Sequence, residues 1–319
     1  MLGLEDLVAL AAAHEEALKA RVASFEVCGR LFDGNKRPEL MGVVNLSSDS
    51  WYRESVSLSA EAAIRRGRIL VEQGAAIVDI GAESTLEHAE RVEEARQNSR
   101  LLPVVRELAG AGVVVSVETY HPEVTRACFE AGARVLNLTG NARTPEMFRM
   151  VADHDGAVIL CHVQGANVRE VGDFDFGADP AAMLYEHFAR QLEMATSQGV
   201  RRAWIDPGLG FYYRNLADSA TRIRHQMRVF LNTFRLRRLG FPTCHALPHA
   251  FECFEDDVRC AEPFFAVLAA LGRTDLFRTH EVPRVRAVLK TLGLWDGGAG
   301  SGGLPADRPA VEALTPRAG

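Results

Sequence analysis

The sequence predicts an α/β fold, a closed (β/α)8 TIM barrel entered through an N-terminal helix and a β-hairpin. Three observations lead there. Short β-branched runs recur at residues 40–45, 76–81, 113–118, 134–138, 157–162, 203–206, 242–246 and 276–280. Helical stretches separate them, among them 59–73, 122–132, 179–199 and 255–272. The 319 residues leave room for eight such units, which take roughly 250. Parallel strands need a crossover between them, so strand and helix must alternate as they do here. A doubly wound open sheet is the alternative, but it carries a Gly-rich phosphate loop after its first strand, and "NLSSDSW" has none.

The elements follow in order. Residues 1–24 form an N-terminal segment in which apolar spacing predicts an amphipathic helix over 4–22. "FEVCGRLFDGNKRPEL" alternates apolar and polar residues around the turn signal Asp33-Gly34-Asn35, which predicts a hairpin sealing the bottom of the barrel. The barrel domain then occupies residues 25–295, with Ser59 as the N-cap of its first helix. Residues 296–319 are rich in Gly, Pro and Ala and read as a disordered tail.

Composition narrows the function. A net charge of −6 gives no basic footprint for nucleic acid or an anionic membrane. No apolar run is long enough to cross a bilayer, and the first residues lack a cationic signal-peptide start. Cys28, Cys128, Cys161, Cys244, Cys253 and Cys260 are scattered, as in a cytoplasmic protein with reduced thiols. The histidines sit on separate runs without an H-x-H or H-E-x-x-H pair, which argues against a metal hydrolase.

In a barrel the C-terminal ends of the strands carry function. Those ends offer Asn45, Asp79 with Glu83, Glu118, Asn137, His162 with Gln164, Asp206, His245 with His249, and Arg278 with His280. Any one of them could cap a helix or fix a turn. Eight polar clusters converging on one face are different, because burying them without partners would cost a few kcal/mol each. A ligand or water has to satisfy them.

Six of these stretches, in order, resemble the dihydropteroate synthase family of pterin-binding barrels. "MGVVNLSSDSW" is similar to the family's M-G-[IV]-[LV]-N-x-T-P-D-S-F, and "AAIVDIGAEST" to D-I-G-G-E-S-T-R-P. "VSVETYHPEVTRACFEAGARVLN", "VILCHVQG", "IDPGLGF" and "LFRTHEV" resemble the following strands, the last being R-V-H-D-V in the family. The match runs from about Phe25 to Leu292. The resemblance implies an enzyme that binds a pterin or reduced folate and joins its 9-methylene to an amine as diphosphate leaves, assisted by Mg²⁺. It places the pterin on Glu118, Asn137, Asp206 and Phe211. Asn45, Ser47, Arg278 and His280 fall on the anion site, with Asn45 also as metal ligand and Asp49 in the first loop. A carboxylate can accept from the ring's 2-amino group and adjacent N–H, and an asparagine can meet both a donor and an acceptor.

The chain departs from the family in ways that bear on its acceptor. Glu118 stands where Asp is usual. Leu86, followed by Glu87 and His88, replaces the second-loop arginine. Leu247, Pro248 and His249 replace a Ser-Arg-Lys segment, and Tyr213 replaces a further lysine. Losing charge-assisted bonds in a buried site costs about 2–5 kcal/mol each. The expectation is therefore transfer of a methylene or one-carbon unit to an acceptor other than para-aminobenzoate. His249, His245, Tyr213 and His162 are candidates to furnish that acceptor site, a histidine being able to act as acid or base. A methyl-tetrahydrofolate-dependent methyltransferase and a non-catalytic pterin-binding protein are the alternatives. Family resemblance also implies a homodimer.

Overall fold

The computed structural model describes residues 1–47, 56–57, 59–83, 92–168, 172–175, 177, 179–210, 213–216 and 218–294. The expectations placed on Asp49, Leu86, Glu87, His88, Phe211 and the tail from 296 fall outside them.

The predicted N-terminal helix is broken in two, α1 (Leu4–Ala13) and α2 (Glu15–Leu18), because His14 between them leaves helical geometry. Strands β1 (Phe25–Val27) and β2 (Arg30–Phe32) form the hairpin, but its turn is not Asp33-Gly34-Asn35. It is Cys28-Gly29, with φ of 52° and 74°, the left-handed pair that matches the twist of a tight hairpin. The Asp33 region instead makes a local turn that lets Asn35 clasp Val22 from both its amide and carbonyl sides. Phe25 and Phe32 meet the Trp204 ring at 4.6 and 5.2 Å. The hairpin therefore does stop the bottom of the barrel, by aromatic edge contacts.

Above it come β3 (Glu39–Asn45), α3 (Ala60–Glu72), β4 (Ile77–Gly81), α4 (Glu94–Gly110), β5 (Val115–Thr119), α5 (Pro122–Glu130), β6 (Val135–Leu138), α6 (Thr144–Asp153), β7 (Ala157–Cys161), α7 (Pro180–Ser197), β8 (Ala203–Asp206), α8 (Ser219–Asn232), β9 (Cys244–Ala246), α9 (Phe251–Phe254), α10 (Ala261–Leu271), β10 (Leu276–Thr279) and α11 (Val282–Leu292). The eight strands β3 to β10 are parallel, in the order β8-β7-β6-β5-β4-β3-β10-β9. A bridge between Ile205 and Thr243 joins the ends, so the sheet closes. Ser59 caps α3 as its sequence position predicts, its hydroxyl accepting from the Ala62 amide at 3.2 Å.

Two apolar layers hold this together. Val44, Val78, Val117, Leu136, Val158 and Ile205 face the helices, where Leu70, Leu108, Phe148, Phe188 and Phe265 meet them. Met41, Ile77, Val135, Ile159, Trp204, Cys244 and Leu276 fill the barrel's lower interior. Strands covered on both faces read as continuous apolar runs, which is why the polar residues at their ends stand out.

Candidate functional site at the barrel mouth

Alternation along each strand decides which side chains reach the mouth. Successive residues point by turns into the barrel and toward the helices. On β4, Val78 and Ile80 join the outer layer, and Ile77 and Asp79 face inward. The same parity brings Ser116 and Glu118, Asn137, Cys161, Asp206 and Arg278 inside. One register row runs Asn45, Gly81, Glu118, Asn137, and a neighbouring pair joins Cys161 to Asp206.

Asp79 is the hub of the group. Fully buried, it accepts from the Ser116 hydroxyl at 2.6 Å, from Asn137 Nδ2 at 3.1 Å and from Arg278 Nε at 2.7 Å. Arg278 reaches across the mouth and pairs through Nη2 with Glu118. The two methylenes of the Glu118 side chain let it span to this guanidinium. Asn137 is held at both ends: its Nδ2 donates to Asp79, and its Oδ1 accepts from the Cys161 thiol at 3.2 Å. Asp206 Oδ1 accepts from the Gly208 amide at 2.8 Å, inside the tight "DPGLG" turn where Gly208 takes a φ of 77°.

The electrostatics are unequal. Asp79, Glu83, Glu118 and Asp206 lie within interaction range, and among the described residues Arg278 is the cation set against them. Burial raises the Glu118 carboxyl; Arg278 opposes this, while Asp79, Asp206 and Glu83 add to it. Burial pushes the Asp206 carboxyl up to about 6, against the pull of the Gly208 amide and of Arg278. For Arg278, burial works against the charge, but Glu118 and Asp79 hold the proton more tightly than in an ordinary guanidinium. The gap beside these groups, lined by Glu83, Glu118, Tyr120 and Thr139 among others, holds a water-sized volume of about 10 Å³.

A second cluster lies at the end of β10. His280 Nδ1 is 2.7 Å from Glu262 of α10, and His249, in the segment after β9, is close enough to His280 and Glu262 to feel their charges. The His249 ring stacks on Phe251 at 4.0 Å, and burial lowers its pKa to about 4. Asn45 ends β3 and Ser47 is buried two residues on.

Three sequence candidates are turned elsewhere. His245 follows the inward Cys244 and so points at the helices; it bonds Thr233 at 2.7 Å, packs on Phe230 and is completely buried. His162 follows the inward Cys161 and packs against His187 and Phe188. Tyr213 spends its hydroxyl on the Gln164 amide at 3.0 Å, tying the loop after β7 to the loop after β8. Parity was present in the sequence: Cys-His after an apolar run places the cysteine inside and the histidine out. Asp79, named among the polar strand ends, is marked as inward-facing by its place within "AIVDIG", an ionisable residue inside an apolar run.

Comparisons with known proteins agree with this geometry. The pterin binding enzyme family model matches residues 41–238, more than half of the chain. Dihydropteroate synthase of Mycobacterium leprae is 30% identical over 268 residues, 81% of this chain and 93% of that protein. That of Synechocystis is 31% identical over 216 residues, 66% of this chain and 72% of its own. Among solved structures, Xanthomonas albilineans dihydropteroate synthase with 4-aminobenzoic acid superimposes with a TM-score of 0.70 at 29% identity, covering 85% of this chain and 97% of that one. The same enzyme in complex with 7,8-dihydropteroate gives 0.67 at 27%, covering 85% and 98%. The chain therefore belongs to the pterin-binding enzyme family. Within that family its relatives at about 30% identity are dihydropteroate synthases, which makes it a transferase of that family.

Proposed function

We propose that this chain binds a pterin diphosphate edge-on at the barrel mouth and transfers the pterin methylene to an acceptor other than para-aminobenzoate. The observation that carries the reading is the surplus of acceptors: among the described residues Asp79 and Glu118 pair with Arg278, Asp206 lies within reach of its charge, and Asn137 donates to Asp79. A pterin edge supplies donors, the 2-amino group and ring N–H, that such a set lacks. The ring's amino edge takes the place of Arg278 at Glu118 and leaves that guanidinium for the diphosphate, to which its planar fork is suited. Xanthomonas albilineans dihydropteroate synthase, 27–29% identical to this chain, is solved with 4-aminobenzoic acid and with 7,8-dihydropteroate, which supports a pterin ligand here.

In the transfer, a bond forms between the acceptor nitrogen and the methylene carbon while the carbon–oxygen bond to diphosphate breaks. The electron pair leaves with diphosphate, and the acceptor loses a proton. Arg278 and His280 stabilise the departing charge. Mg²⁺, if bound, would neutralise diphosphate charge. Asn45 has a hard amide oxygen suited to it and would supply one protein ligand, as is usual where phosphates supply others. The change of acceptor is supported by Leu247-Pro248-His249 and Tyr213, which stand where the resemblance implies Ser-Arg-Lys and a further lysine. This reading also takes the protein as a cytoplasmic homodimer, in keeping with six free thiols and the family resemblance.

Calorimetry with 6-hydroxymethyl-dihydropterin diphosphate and with the diphosphate-free pterin tests the first half. Tighter binding of the former is expected, and equal binding would remove diphosphate from the mechanism. Turnover with para-aminobenzoate at a rate ordinary for the family would overturn the change of acceptor.

A further inference from the structure

Glu262 is a buried carboxylate that the pterin-facing group does not include. It stands in the first turn of α10 and is 1% exposed. Its Oε2 accepts from the Thr279 hydroxyl and from the amides of His280 at 2.9 Å and Glu281 at 3.2 Å. Its Oε1 lies 2.7 Å from His280 Nδ1. We propose that Glu262 is a positioning residue for the transfer: it fixes the His280 ring with Nδ1 as donor, so that Nε2 is the atom that serves the leaving diphosphate.

The argument is one of valence. An ionised carboxylate has acceptors only, so the ring nitrogen facing it must carry hydrogen. That leaves Nε2 as the other polar atom of the ring. When the ring takes a second proton, Nε2–H can donate to a phosphate oxygen while Glu262 balances the charge. Bonds to the two amides and the hydroxyl would already secure the end of β10 through Oε2. The bond from Oε1 to the ring adds nothing to that task and sets ring orientation instead. The charged neighbours are consistent with an anion beside this ring: Arg66 donates to the His280 carbonyl at 3.2 Å, and Arg259 and Arg284 flank it on Glu281. His249 adds a further imidazole.

This rests on the diphosphate-transfer reading above, so the test separates the two. Nitrogen-15 spectra of histidine-labelled protein report which ring nitrogen of His280 carries hydrogen, with no ligand present. Nδ1 protonated in the wild type, and a changed pattern in Glu262→Ala, are expected; a wild-type ring protonated at Nε2 alone would overturn the proposal. In parallel, calorimetry measures inorganic diphosphate and 6-hydroxymethylpterin. Glu262→Gln should weaken diphosphate binding roughly tenfold and leave the pterin unchanged, the size of one charge-assisted hydrogen bond. In a His280→Gln background it should have no further effect. Thr279→Val, which removes a bond to the same carboxylate but not the ring contact, should lower stability and spare diphosphate affinity. Equal loss of both ligands in Glu262→Gln, or an undiminished effect in the His280→Gln background, would make Glu262 merely structural. If the wild type binds no diphosphate, the transfer reading fails and the spectra still decide whether Glu262 fixes the ring.

Discussion

Replacing Arg278 by Met should destabilise the protein in a way that depends on pH. The guanidinium donates to Asp79 at 2.7 Å and pairs with Glu118, and it is the charge that offsets the burial of both. Removing one partner of a buried pair costs about 3–5 kcal/mol, because the uncompensated charge remains. With a urea slope of roughly 3 kcal/mol/M for a chain of this size, the midpoint should fall by about 1–1.7 M at pH 8. The sign with pH follows from Glu118. Burial, Asp79, Asp206 and Glu83 all raise its carboxyl, and Arg278 alone opposes them. A carboxyl raised in the folded state contributes stability below its unfolded pKa and loses it as pH rises through the folded one. The penalty of Arg278→Met should therefore be largest at pH 8 and shrink toward pH 5. Adding Glu118→Gln should recover part of it, with a coupling of roughly 1–3 kcal/mol. Urea titrations followed by circular dichroism at both pH values would measure this. A variant within 0.5 kcal/mol of wild type at pH 8, or one equally weakened at both, would refute the reasoning.

Other expectations concern the same pocket. Asp206→Ala should reduce pterin affinity at least a hundredfold in calorimetry, the loss expected for a charge-assisted double acceptor. Because burial lifts Asp206 to about 6, wild-type pterin affinity should fall as pH drops below that value and the carboxylate is lost. Affinity constant from pH 7.5 to 5 would exclude Asp206 as the acceptor. Glu118→Asp should keep or improve pterin affinity, since the shorter chain releases Arg278 more readily; a tenfold loss would count against the exchange. His245→Phe should leave pterin binding and turnover intact and cost roughly 1–2 kcal/mol of stability from the lost Thr233 bond.

Much of this was legible in the residues, and the failures have physical causes. The strand rhythm located the barrel because parallel strands buried on both faces leave unbroken apolar runs. Glu118, Asn137, Asp206 and Arg278 were legible as polar ends to such runs. The histidines mislead because two consecutive residues at a strand end face opposite sides. His245 and His162 are on the helix side for that reason alone. The hairpin turn was misplaced because Asp-Gly-Asn is a stronger signal than Cys-Gly, yet the pairing of Phe25 with Phe32 requires the shorter loop. Glu262 lies seventeen or more residues from its partners in an otherwise apolar helix start, and only the closed barrel brings it to His280.

The most direct measurement is a crystal structure of the protein soaked with 6-hydroxymethyl-dihydropterin. The ring's amino edge should lie within about 3.2 Å of Asp206 and Asn137, with Arg278 drawn away from Glu118. A ring bound elsewhere, or one seated above an intact Arg278–Glu118 pair, would contradict the account.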